Sequence, residues 1–166
     1  MTQNTTKKLN LNSDLGESFG AWVMAGDAAM LGIVNSANVA CGYHAGDPLV
    51  MIQTVERAKK NGVSIGAHPS FPDLQGFGRR RMDIPAPELE AMLIYQIGAL
   101  DACARAQGSK VTHVKPHGAL SNIASADRKV ADAVARAVHR LDSSLILLAP
   151  AASQMALAGK EIGLKI

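Results

Sequence analysis

A chain of 166 residues, 48% hydrophobic and 19% charged, has the length of about one domain and an ordinary globular composition, which excludes a disordered or collagen-like chain. Seventeen Lys and Arg against 14 Asp and Glu leave a formal charge of only +3, spread along the sequence, and aromatics make up 4%. Neither a basic tract nor a stacking platform for nucleic acid is present.

No run approaches the roughly 18 apolar residues of a membrane-spanning helix. The start MTQNTTKKLNLN has no apolar h-region, so no secretory signal is expected and the expected address is cytoplasmic. Cys41 and Cys103 lack CxxC or Cys–His metal spacing and read as reduced core thiols.

Short apolar runs alternate with helical stretches throughout, the pattern of repeated βα units around a parallel sheet. A first strand is expected near 8–13 and a second near 36–42. Asp47-Pro48 then offers an N-cap and a first-turn proline, and Gly62 a left-handed close. A third strand is expected at 63–68, followed by a helix from about Pro87 to Gln107 that carries Leu89, Met92, Leu93, Leu100 and Cys103 and ends at Gly108. A fourth strand at 111–116 precedes a helix whose Val130, Val134, Ala137, Val138 and Leu141 form one stripe, with Ser125 as the expected cap. A fifth strand is expected at 145–149, and a sixth begins at 163–166.

Alternate strand positions are more informative. Asn12 and Asp14 share one face of the first strand; Asn38, Ala40, Gly42 and His44 share a parity in the second; Ser64, Gly66 and His68 do so in the third, and His113, Lys115 and His117 in the fourth. One apolar face and one small-or-polar face ending in ionisable groups suits a barrel better than a doubly wound sheet, which is apolar on both faces. The expected fold class is therefore α/β, an irregular (β/α) barrel forming a single domain over 1–166. Eight units take roughly 250 residues, so the barrel is expected to be truncated after about five βα units, its C-terminal part missing.

The strand ends carry the candidate chemistry. Asp14, with Gly16 and Glu17 beside it, offers a carboxylate for general-base work or metal binding. His44 sits between glycines just before a helix N-terminus that favours an anion. His68 opens a Pro/Gly-rich loop long enough to cover a site, and Arg79 to Arg81 offer a carboxylate or phosphate clamp. Lys115 between His113 and His117 could stabilise an oxyanion. His139 falls on an outer helix and is given no role.

The blocks NSDLGESFGAW (12–22), NVACGYHAGDP (38–48), IGAHPSFPDLQGFGRR (65–80), YQIGAL (95–100) and VKPHGAL (114–120), in this order, resemble the LamB/YcsF family from Leu9 to about Pro150. The resemblance implies an irregular β/α barrel acting as the A subunit of an ATP-dependent 5-oxoprolinase, with subunits B and C as partners. The implied reaction opens 5-oxo-L-proline to L-glutamate with ATP as co-substrate. No G-x-x-x-x-G-K-[ST] loop is present, so ATP is expected on a partner subunit or in an unconventional site. A homo-oligomer is compatible with this reading.

Under that reading Asp14 activates water, and His44, His68 and His117 shape the pocket and move protons. Lys115 stabilises the oxyanion or phosphate, Asn12 and Asn38 donate to the substrate, and Arg79 pairs with its carboxylate. A rival expectation is a metal-dependent deacetylase or amidohydrolase holding a divalent ion on Asp14, His68 and His117. A third is a non-catalytic assembly subunit.

Overall fold

The computed structural model describes residues 9–166. Residue 8 of the expected first strand, and residues 1–8 of the start expected to carry no signal, lie outside them. The elements in order are β1 (Asn12–Leu15), α1 (Asp27–Met30), β2 (Ser36–Ala40), α2 (Pro48–Lys60), β3 (Ser64–His68), α3 (Ala86–Ala106), β4 (Val111–Val114), α4 (Gly118–Ala126), α5 (Arg128–Leu141), β5 (Ile146–Leu147) and α6 (Gln154–Glu161). The strands form one parallel sheet in the order β1-β2-β3-β4-β5, and Lys165 adds a single parallel bridge to Ile146 in the region of the expected sixth strand. No helix among the described residues is long and apolar enough to cross a membrane.

Helix ends follow the local chemistry. The Asp47 carboxylate accepts from the Leu49 and Val50 amides at 2.9 Å each, with Pro48 in the first turn, and Gly62 closes α2 with φ +67°. That satisfied cap leaves the start of α2 no free amides for the anion expected near His44. Ser125 is not the cap of α5. It lies inside α4 with its hydroxyl donating to the Ser121 carbonyl at 2.8 Å, while Asp127 accepts from Lys129 N at 2.8 Å and starts α5. Ser125 lies two residues before the actual cap, because α4 runs on to Ala126 and leaves Asp127 as the single residue between the two helices.

The outward strand face, with Val39, Ile65, Ala67, Val114 and Leu147, packs under Val55, Leu93, Ile97, Leu100, Val134 and Val138 of the helices, all buried. Each such Leu, Ile or Val stabilises the fold by about 1.5–3 kcal/mol. Cys41 is buried, and burial pushes its thiol up to about 12. It packs in the core as expected.

The other face is concave. Strands lie about 4.8 Å apart, so in a flat sheet β1 and a group just past β4 would be about 14 Å apart. Yet Lys115 Nζ reaches Asp14 Oδ1 at 2.7 Å, which requires the sheet to curl around this face. The arc is that of an incomplete (β/α) barrel.

Candidate functional site

Strand register builds the floor of the site. Asp14, Asn38, Gly66 and His113 are successive neighbours across β1 to β4. Gly66 has no side chain, and a Cβ there would fall on the His113 ring; the ring instead crosses the glycine, and its Nε2 donates to Asn38 Oδ1 at 3.0 Å. This turns both Asn38 amide hydrogens toward β1, to Asn12 Oδ1 at 2.8 Å and Asp14 Oδ1 at 2.9 Å. Asn38 is fully buried with both donors committed. It therefore positions Asp14 rather than donating to a substrate, because a strand-centre amide in the floor is covered by its neighbours. Asn12, at the exposed end of β1, donates to no group among the described residues.

Asp14 is densely held. Lys115 Nζ lies 2.7 and 3.0 Å from its two oxygens, and His68 Nε2 lies 3.2 Å from Oδ2. Burial alone would raise the carboxyl pKa, but hydrogen bonds and charge from His68 and Lys115 outweigh it and hold the group well below the usual carboxylate range.

Beyond β4 the chain keeps its extended course, Lys115 N bonding to the Ala67 carbonyl and His117 N to that of Pro69. This carries the alternation of His113 onward, so His117 comes to lie beside His68, with Nδ1 3.0 Å from His68 Nε2. His44, His68 and His117 are buried together. His44 and His117 stack with centroids 3.9 Å apart and planes 5° from parallel, and His44 Nε2 donates to Glu17 Oε1 at 3.1 Å. Burial is the main cause lowering both the His44 pKa and that of His117, the latter to about 4; His113 is lowered to about 4 by the same cause.

The loop after His68 folds over the histidines. Phe77 takes a left-handed φ of +53°, which costs on the order of 1–3 kcal/mol, and its carbonyl accepts from His117 Nε2 at 2.8 Å while its ring stands edge-on to His44 and His117. Gly78 packs where a Cβ would strike Ser70, His117 and His44. Gln96 of α3 clamps the loop base, accepting from Ser70 N and donating to the Ser70 carbonyl at 2.9 Å each. Arg80 is tied to Asp73 and Arg81 to Asp83, so the loop's remaining cation toward the site is Arg79, which lies over the Phe77 ring.

A cavity of about 330 Å³ opens here, lined by Asp14, His68, Arg79, Lys115, His117 and the start of α4. The structure thus brings together Asp14, His68, Arg79, Lys115 and His117, and joins the expected metal set Asp14, His68 and His117 in one chain of contacts. His44 lies behind His117, outside the cavity lining. Sequence reasoning assigns Glu17 and His113 no firm role. Strand parity points to His113, whereas Glu17 follows Gly16 at φ +70°, where alternation ends.

The sequence model of the LamB/YcsF family matches residues 9–166. The chain is 59% identical over 159 residues to the 5-oxoprolinase A subunit of Azoarcus sp. (strain BH72), covering 96% of this chain and 62% of that protein. Identity to the 5-oxoprolinase A subunit of Clostridium beijerinckii is 54%, with the same coverage. The chain thus spans about three-fifths of the length of these curated relatives. The crystal structure of a lactam utilization protein from Thermus thermophilus superposes with a TM-score of 0.94 at 45% identity, over 96% of this chain and 64% of that one. Matched along its described length and with the same arc of barrel, the chain belongs to the LamB/YcsF family.

Proposed function

We propose that this chain is the ring-opening component of an ATP-dependent 5-oxoprolinase, converting 5-oxo-L-proline to L-glutamate together with B and C partner subunits. The relatives named as 5-oxoprolinase A subunits support the substrate class. The observation that carries the chemistry is a cavity in which Lys115 and Arg79 stand beside an ionised Asp14 and buried histidines.

A lactam carbonyl is a poor electrophile. Transfer of the terminal phosphoryl group of ATP to the lactam oxygen, on the partner subunits, forms an O–P bond and releases ADP. Water then adds to C5, the C–N bond breaks, and the ring nitrogen takes a proton; hydrolysis of the acyl phosphate by a second water frees phosphate and glutamate. Arg79 pairs with the substrate carboxylate, Lys115 with the phosphorylated oxygen, and Asn12 donates at the rim. At rest Asp14 is too weakly basic to take a proton from water. A phosphorylated substrate draws Lys115 away from it, so its basicity rises only when substrate is bound.

The test is 5-oxoproline-dependent ATP hydrolysis and glutamate release by the chain with both partner subunits, beside a version extended to the relatives' length. Asp14→Asn and Lys115→Met are each expected to lower turnover at least about 10²-fold. Near-normal turnover in Asp14→Asn removes the base assignment. Amide hydrolysis without ATP or partners would favour the metal-dependent amidohydrolase, for which the contacts among Asp14, His68 and His117 speak.

A further inference from the structure

The buried histidines present a hydrogen-bonding conflict. His68 Nδ1 lies 2.5 Å from the Lys115 carbonyl and His117 Nε2 lies 2.8 Å from the Phe77 carbonyl. Carbonyls only accept, so these two nitrogens carry the ring protons. In the neutral rings the other nitrogens, His68 Nε2 and His117 Nδ1, face each other at 3.0 Å with a lone pair each, and His68 Nε2 donates to Asp14 only if the ring takes a second proton. Glu17 Oε1 stands 3.8 Å from His117 Nδ1, and Asp14 Oδ2 stands 3.2 Å from His68 Nε2. Electron pairs converge here, and with neutral rings no hydrogen lies between them.

We propose that His68 Nε2, His117 Nδ1 and Glu17 Oε1 form a binding site for one divalent transition-metal ion of the zinc type. Two imidazoles and a carboxylate suit such an ion and leave a coordination position open. Bonds of 2.0–2.1 Å at a tetrahedral centre set donors roughly 3.3 Å apart; the two pairs that include His117, at 3.0 and 3.8 Å, bracket that value, and the third pair lies within 4.8 Å, so the Glu17 side chain closes in to bind. Both rings are oriented by backbone carbonyls on their far nitrogens, the usual outer support of a metal-bound histidine.

The neighbouring groups take other parts. Asp14 is engaged by Lys115 through both oxygens and by Asn38, so Glu17 is the better carboxylate. His44 lies with its donor atom inside the same 4.8 Å cluster, but its ring stacks parallel on His117, so the two in-plane lone pairs run side by side and cannot meet at one ion. Its Nε2–H instead holds Glu17 in place. Phe77 covers one side of the cluster. His68 and His117 also line the cavity, which puts the ion beside the space for substrate.

The test uses the purified, chelator-treated chain and does not involve the lactam reaction, so its failure is separate from failure of the proposed function. One equivalent of Zn²⁺ is expected by calorimetry and elemental analysis, and Co²⁺ should give the visible bands of a low-coordinate nitrogen/oxygen site. Glu17→Gln and His117→Gln, checked for folding by circular dichroism, should each weaken Zn²⁺ binding at least tenfold. Should either variant fail to fold, nitrogen NMR of the wild-type histidines decides: Zn²⁺ must shift His68 Nε2 and His117 Nδ1. Absence of stoichiometric binding, unchanged affinity in Glu17→Gln, or a His68 ring that stays doubly protonated in excess Zn²⁺ would overturn the site, the conflict then being resolved by a proton.

Discussion

Asn38 governs the site's geometry without touching the cavity. Its carbonyl oxygen accepts from His113, and its amide holds Asn12 and Asp14. Truncating it orphans the buried His113 Nε2–H, worth about 1–3 kcal/mol in the interior, empties the space the amide fills, and removes one donor from the partly exposed Asp14. Asn38→Ala is therefore expected to lose at least about 2 kcal/mol in urea unfolding, and Asn38→Asp to keep the packing but set a second carboxylate against Asp14. Catalysis by Asn38→Asp in the assembled complex should show a shifted pH profile; a profile unchanged from wild type would mean that Asn38 does not position Asp14. Gly66 acts through what it omits. Gly66→Ala places a methyl on the His113 ring and should destabilise the chain by about 1–3 kcal/mol, as overpacking does.

At the scale of elements, the joint between α4 and α5 is a single residue, and its chemistry separates two side chains of similar type. Asp127 satisfies amides at the start of α5, whereas Ser125 bonds back within α4. Asp127→Ala should cost about 1 kcal/mol, and Ser125→Ala should be close to neutral, by thermal or urea midpoint. Equal losses would place the helix boundary elsewhere. The same contrast shows what is legible in the sequence. Where side chains alternate along strands, the row Asp14, Asn38, Gly66, His113 and its continuation to Lys115 and His117 can be read directly, because period two survives into the fold. Glu17 and Phe77 sit beyond strand ends, on backbone turned by Gly16 at positive φ or strained at Phe77 itself, and His44, expected at the site from strand parity, is carried by Gly42 and Gly46 at positive φ to a place behind His117. Their meeting depends on turns whose directions no local pattern encodes. Nor does the run of three loop arginines announce that Asp73 and Asp83 claim Arg80 and Arg81.

The whole molecule curls its sheet around a polar face, and that has a consequence for stability against pH. His113 is buried in the floor, close to the Lys115 cation and to His68, and burial together with these charges brings its pKa from 6.5 to about 4. The sign follows from linkage: an unfolded chain binds the His113 proton below about 6.5, while the folded chain declines it until about 4. The neutral ring's contribution is thus fully present above about pH 6.5 and is lost progressively as pH falls toward 4. Between pH 7 and pH 5 this one group should remove on the order of 1–2 kcal/mol. Asp14 does not add to the loss over that range, because hydrogen bonds from His68 and Lys115 keep it ionised well below it. Urea unfolding of the wild-type chain at pH 7 and pH 5, beside His113→Gln, separates this effect from general acid destabilisation. The variant should start less stable at pH 7, having lost a ring that fills the space over Gly66, and its stability should decline less on acidification. Parallel declines would show that His113 titrates normally in the fold and that the concave face is wetter than its packing implies.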